Sequence, residues 1–368
     1  MLAARTGDAV QWSLAGAAIV VHGEQLNNNR EAPMNWNGLG RGWLAGVVAC
    51  AALGFAFAAG ADEDRRDHER ERLVVFGDSL SDPGNAFVLL REAEVPPFEL
   101  IPDAPYARGG LHFSNGKTWV EQLAGMLKAR PSAGPALVKP LVFSNYAVGG
   151  ARARAEGLFD LSVQVNMLLA DTGGTPPADA LYVVFIGSND VRDALTALAA
   201  DPSGATSFGI LQQALGAIQQ NLAALYAAGA REFLVPNVPN LALLPAVRLQ
   251  GPVAQGAAQM LAAQFNTGLE SILAGLAASP DARVVRLDVF SLLNEVVAAP
   301  AAAGLTDVEQ PCIVPDTRIR PFCSNPDDYL FWDGIHPTRA GHGILALRAK
   351  AELEASTLLA VTAASAGE

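Results

Sequence analysis

Ser79 follows a run of β-formers, Leu73 to Phe76, that breaks at Gly77-Asp78 and runs on through Leu80, Ser81, Asp82, Pro83, Gly84 and Asn85. This pattern reads as a buried strand delivering small polar side chains into a turn. In an open α/β sheet such a turn lies at the carboxyl end of the strand, where ligands bind, so Ser79 is a candidate nucleophile. Serine is a poor nucleophile until a base takes its proton. His336 is the candidate base because Asp333 stands three residues before it in FWDGIHPT (Phe331 to Thr338), close enough to hold the imidazole tautomer from within one loop. The other histidines are His22, His68, His112 and His342. His68 sits in a charged run, His112 has no acid at a useful spacing, and His342 belongs to the following helix. Metal chemistry is not indicated: His336 and His342 lack the spacing of a zinc helix, and Cys312 and Cys323 have no paired cysteines beside them. The reading calls for no cofactor and no metal. Ser79 also lies outside any Gly-x-Ser-x-Gly elbow.

Elements that could position these groups alternate along the chain. Strands are expected at Leu73 to Phe76, Leu141 to Tyr146, Leu181 to Ile186, Arg231 to Val238 and Ala282 to Val289. Amphipathic helices are expected around Trp119 to Leu127, over Phe208 to Tyr226 with Leu211, Leu215, Ile218, Leu222 and Leu225 at helical period, and over Ala254 to Ala277. Strands alternating with helices imply an α/β fold, a parallel sheet covered on both faces. No internal repeat and no second domain are evident. The stretch Val88 to Gly110, with Phe98, Leu100, Ile101, Pro102 and Tyr106, reads as the rim of an apolar pocket or as a long surface loop.

The 368 residues are 51% hydrophobic and 17% charged, enough for one large domain with an appendage. Net charge is −12, and the first 61 residues add nothing to it, since Arg5, Arg30 and Arg41 balance Asp8, Glu24 and Glu31. An acidic body without a basic cluster argues against nucleic acid. Residues 1–61 read as a leader, with a cleavable secretory signal over 34–61. Arg41 is its positive flank, Trp43 to Ala58 its apolar run, and Ala59-Gly60-Ala61 its small-x-small cleavage site. Met34 is an alternative start. The expected location is secreted or periplasmic, with a retained membrane anchor or lipidation at Cys50 as lesser alternatives. Residues 62–72, DEDRRDHERER, form a charged linker, and 73–368 the main domain. Cleavage after Ala61 leaves two cysteines, an even pair in an oxidising compartment, so a Cys312–Cys323 disulfide is expected.

Four blocks, GDSLSDPGN (Gly77 to Asn85), NYAVGG (Asn145 to Gly150), GSND (Gly187 to Asp190) and FWDGIHPT, stand in this order at expected strand ends. Over about Leu73 to Leu353 the chain resembles the GDSL or SGNH family of serine esterases and lipases. That resemblance implies a three-layer α/β/α sandwich on a parallel, flavodoxin-like five-stranded sheet. It completes a triad of Ser79, Asp333 and His336. Its oxyanion donors fall on the Ser79 N–H, the Gly150 N–H and the Asn189 amide, with Gly149 the less favoured register. Asp78 becomes a structural acid beside the nucleophile. Together with FSNG (Phe113 to Gly116), the blocks look most like the lipase, lecithinase and autotransporter-passenger branch. The partner implied is a lipid or small acyl ester, compatible with transient contact with a lipid surface. The alternatives are a carbohydrate O-acetyl esterase with the same triad, or a binding or adhesion protein on the same fold. A long apolar groove would favour the lipid reading, and a short blunt pocket the O-acetyl one.

Overall fold

A computed structural model describes residues 72–366. The signal expected at 34–61, Cys50, and the charged run 62–72 except its last residue lie outside the described residues. The described residues all fall in one compact unit, Glu63–Glu368.

Strands β1 (Leu73–Gly77), β2 (Leu181–Phe185), β3 (Glu232–Pro236) and β4 (Arg283–Leu287) form a parallel sheet in the order β1-β2-β3-β4. Two shorter strands, β5 (Asp307–Pro311) and β6 (Tyr329–Phe331), pair in parallel as a separate ribbon that the periodicity did not announce. The helices are α1 (Asn85–Leu90), α2 (Trp119–Met126), α3 (Leu161–Asp171), α4 (Ser188–Ala200) and α5 (Ala205–Ala227), then α6 (Pro245–Arg248), α7 (Pro252–Ala277), α8 (Val289–Ala298) and α9 (Arg339–Ala366).

β1 and β2 read LVVFG and LYVVF, and every one of their residues is buried, as expected of strands covered on both faces. Their side chains alternate between two cores. Val74, Phe76, Tyr182, Val184 and Phe233 pack with α3, α4, α5 and α7, whereas Leu73, Val75, Leu181, Val183 and Leu234 pack with α2, α8 and α9. Burying one such side chain contributes about 1.5–3 kcal/mol. This double layer therefore outweighs local propensity in fixing where the strand ends lie. At the outer strand, Arg283 and Arg286 of β4 pair with Glu232 at 2.6 Å and Glu270 at 2.8 Å, charges that discourage addition of another strand.

The expected strand over Leu141 to Tyr146 does not form as a regular strand. Pro140 and a left-handed Leu141 (φ 69°) turn the chain there, and Leu141 and Val142 are exposed. The segment joins β1 only from Ser144 onward, through Val75 N–H to Ser144 O (2.9 Å), Tyr146 N–H to Val75 O (2.8 Å) and Val148 N–H to Gly77 O (3.2 Å). Among the described residues the sheet proper thus has four strands rather than five, with this segment along the free side of β1. Counting the segment, the spatial order in chain terms is 2-1-3-4-5, the flavodoxin-like arrangement, whose switch point lies at the carboxyl ends of β1 and β2.

Candidate active site

Ser79 sits in the turn that leaves β1 at this switch point. Gly77 is required there because a Cβ would stand 2.6 Å from the Phe185 carbonyl of β2. Behind the turn, Asp82 is fully buried and accepts four backbone N–H groups: Gly84 at 2.7 Å, Asn85 at 2.6 Å, Ala86 at 3.0 Å and Gly149 at 2.8 Å. Burial pushes its pKa up to about 6 even against those donors. Asp78, just before the nucleophile, takes the Leu80 N–H at 3.0 Å on one oxygen, while the other has no partner. Burial, only partly offset by that bond and by His336, pushes it to about 6 as well. The Ser81 hydroxyl, by contrast, accepts from Trp119 Nε1 at 3.0 Å inside the core, so of the two turn serines only Ser79 faces the base.

Asp333 and His336 follow β6, on the far side of a loop closed by the Cys312–Cys323 disulfide. Cys312 N–H and Ile313 N–H bond the carbonyls of Phe331 and Trp332, both at 2.9 Å, which ties the cystine loop directly to the approach to Asp333. The Asp333 carboxylate is buried and has four donors. Oδ1 accepts the Ile335 and His336 N–H groups at 2.8 Å each, and Oδ2 accepts His336 Nδ1 at 2.7 Å and the Tyr106 hydroxyl at 2.9 Å. On the other edge of the imidazole, Nε2 lies 2.8 Å from Ser79 Oγ. With Nδ1 bound to a carboxylate, the Nε2 lone pair faces the hydroxyl proton, the arrangement a general base needs.

Opposite the serine lie the two remaining blocks. Gly149 spends its N–H on Asp82, and a Cβ there would stand 2.1 Å from the Phe113 ring, which itself packs on His336 with centroids 5.3 Å apart. Gly150 has φ 80°, nothing lies within 4 Å of its Cβ position, and its N–H makes no hydrogen bond among the described residues. Asn189, in the first turn of α4, donates to Ala151 O at 2.9 Å and so joins the second and third blocks. Asp190 strengthens that joint by accepting the Ala153 N–H and the Arg154 guanidinium, each at 2.8 Å, and Arg154 continues to Asp193 at 2.7 Å. An unengaged Gly150 N–H, a buried asparagine amide and the Ser79 N–H are the kind of fixed donors that can meet an oxyanion.

Residues 73–349 match the GDSL-like Lipase/Acylhydrolase family. The chain belongs to it. Among relatives of this GDSL hydrolase, one GDSL esterase/lipase of Arabidopsis thaliana is 26% identical over 325 residues, spanning 82% of this chain and 94% of the relative. A second from the same plant is 28% identical over 320 residues, spanning 75% and 84%. The phosphatidylcholine-sterol acyltransferase of Aeromonas hydrophila is 26% identical over 326 residues, spanning 74% and 87%. Among solved structures, an acetylxylan esterase from Geobacillus stearothermophilus superposes with a TM-score of 0.39 at 18% identity, covering 77% of this chain and 93% of its own. Membership makes the protein a carboxylic ester hydrolase.

In this GDSL hydrolase Ser79, Asn189 and His336 line a pocket, with buried Asp78 in its wall. It continues between α8, α9 and the turn before α6, lined by Leu80, Leu244, Val289, Leu292, Val296 and Leu345. Of the stretch expected as its rim, only Ile101 lines it; Phe98 and Tyr106 instead pack with Trp332, Cys312 and Ile313 beneath the catalytic loop. Tyr106 was therefore missed as a site residue. Burial and the adjacent Asp333 push its phenol pKa up, so it remains a donor to the carboxylate. Nothing in the sequence pointed to that contact, which spans 227 positions. An acid for His112 was missed too. Glu121 lies 2.8 Å from its Nε2, and neither residue lines the pocket.

Proposed function

We propose that this enzyme cleaves acyl esters of lipids through an acyl-enzyme on Ser79. The observation that carries the proposal is the apolar arm that runs on from Ser79 and His336 into the sheet–helix core. An acetyl group would leave such an arm empty, whereas an alkyl chain buries its methylenes there at about 0.8 kcal/mol each. In the first half-reaction His336 Nε2 takes the Ser79 proton as Oγ attacks the ester carbonyl. The oxygen that becomes anionic meets the N–H groups of Ser79 and Gly150 and the Asn189 amide. Collapse expels the alcohol, which leaves with the proton from His336. Water, deprotonated by the same nitrogen, then attacks the acyl-enzyme and frees Ser79. Asp333 keeps Nδ1 protonated throughout and stabilises the imidazolium.

The same proposal places the enzyme outside the cytoplasm. The signal-like segment 34–61 and the Cys312–Cys323 disulfide support it, since disulfides persist in oxidising compartments. A panel of nitrophenyl esters from acetate to palmitate tests the substrate class. We expect kcat/KM to rise from acetate toward longer chains and Ser79→Ala to abolish both turnover and fluorophosphonate labelling. A maximum at acetate would instead give the O-acetyl esterase reading, and no turnover or labelling at all the binding-protein reading.

A further inference from the structure

We propose that Arg192 forms an anion-recognising subsite on the alcohol side of the scissile bond, and that the preferred substrates are acyl esters bearing a phosphodiester there. The inference rests on Ser79 being the nucleophile. It starts from one face of α4. Asn189, Arg192 and Thr196 all line the pocket, and their spacing of three and four residues puts them on one helical face. At a rise of 1.5 Å per residue, Arg192 stands about 4.5 Å farther along the axis than Asn189.

Arg192 is the single lysine or arginine lining the pocket. The chain has 37 acidic against 25 basic residues, and the neighbouring arginines are neutralised: Arg152 by Asp193 at 2.5 Å, and Arg154 by Asp190 at 2.8 Å and Asp193 at 2.7 Å. The Arg192 guanidinium has no hydrogen bond, ion pair or ring contact among the described residues. Asp78, the pocket's one carboxylate, is not its partner: it is sealed under the nucleophile turn with one oxygen unpaired. A half-buried guanidinium left open toward a substrate pocket is a binding group for carboxylate or phosphate oxygens.

The pocket's polarity says which half of the ester it meets. The arm lined by Leu244, Val289, Leu292 and Leu345 is apolar and would exclude an anion, so the acyl chain belongs there. With the carbonyl oxygen at Asn189, the alcohol moiety is left to the α4 side, and an anion that reaches Arg192 must sit only a few bonds from the ester oxygen. Glycerophospholipids have that construction. Their acylated glycerol carbons lie one or two carbons from the carbon that bears the phosphodiester.

The test measures hexanoate release from monomeric dihexanoyl-phosphatidylcholine, from dihexanoylglycerol, and from dihexanoylglycerol carrying a succinate half-ester in place of the phosphodiester. Phosphatidylcholine has no net charge, so bulk attraction does not enter. The readout is the ratio of kcat/KM for the phospholipid to that for the neutral glyceride. We expect Arg192→Gln to lower this ratio about tenfold or more, as for a lost charged hydrogen bond, and Arg192→Lys to fall between. A ratio unmoved by Arg192→Gln overturns the subsite, and a wild-type preference for the succinate half-ester equal to that for the phospholipid overturns the phosphodiester assignment. Glycerophosphocholine, but not glycerol, should compete with the neutral glyceride on the wild-type enzyme, less so at high salt. Absence of that competition overturns the subsite without any variant having to fold. Hexanoate release that survives Ser79→Ala would instead sink the nucleophile reading itself.

Discussion

Among the described residues two histidine–carboxylate pairs occur, His336 with Asp333 at 2.7 Å and His112 with Glu121 at 2.8 Å. By distance they are nearly equivalent, although Asp333 is fully buried and Glu121 only partly so. They differ in what the second imidazole nitrogen meets. For His336 it is the Ser79 hydroxyl at 2.8 Å, which offers a proton; for His112 it is the Gly109 carbonyl at 2.8 Å, which can only accept one. A ring between a carboxylate and a carbonyl has no hydroxyl within reach from which to take a proton. The acids differ as well. Asp333 is wholly committed to its loop, His336 and Tyr106, whereas Glu121 Oε2 also accepts the Thr118 N–H at 2.9 Å and caps α2. A histidine beside an acid is thus no sign of catalysis by itself. The group on its far nitrogen decides the role.

The two pairs should differ most in their effect on turnover. His336→Gln should lower kcat/KM on a nitrophenyl ester by on the order of 10⁴ or more, while His112→Gln should stay within about tenfold. Equal losses from both would mean that the two pairs act as one unit. Asp333→Asn comes next, with a loss of up to about 10⁴ in kcat at little change in KM. Glu121→Gln should lower Tm and leave the kcat of the folded fraction nearly intact. Asn189→Ala should cost about 10²–10³ in kcat. Tyr106→Phe, which removes one of four donors to Asp333, should cost about 10- to 100-fold, the range for a hydrogen bond to a charged group. If Tyr106→Phe were neutral, three donors would suffice to fix the carboxylate.

The contrast between the pairs also marks what the chain discloses to a reader. Asp333 and His336 are three residues apart in one loop, and Ser79 ends a run of β-formers, so each could be read locally. β1, β2, α5 and α7 were equally plain because their apolar periods match the layers they enter. Glu121 and Tyr106 were not legible as partners, since tertiary packing, not spacing, brings them to His112 and Asp333. Gly149 and Gly150 look alike in the sequence. Their difference emerges only where Asp82 takes one N–H and leaves the other unengaged. The fifth strand failed for the converse reason: Leu141 to Tyr146 has strand composition, but the turn at Pro140-Leu141 lets the segment reach β1 only at Ser144.

The His112–Glu121 pair should also show itself, more weakly, in how stability depends on pH. Burial alone would lower the His112 pKa, yet Glu121 and the Gly109 carbonyl outweigh it and raise the value above 6.5. Burial alone would raise Glu121, yet His112 and Thr118 outweigh it and hold the value below 4.5. A histidine whose folded pKa is raised contributes stability that is complete below 6.5 and lost as pH rises through the folded value. A glutamate whose folded pKa is lowered contributes stability that is complete above 4.5 and lost as pH falls through the folded value. The pair therefore stabilises most between those limits. The Tm difference between wild type and His112→Gln should be greatest near about pH 5.5 and shrink as pH rises through the raised folded value of the imidazole. A His112→Gln penalty independent of pH would mean that the ring serves as packing rather than as a cation, and the distinction between the two pairs would then rest on Ser79 alone.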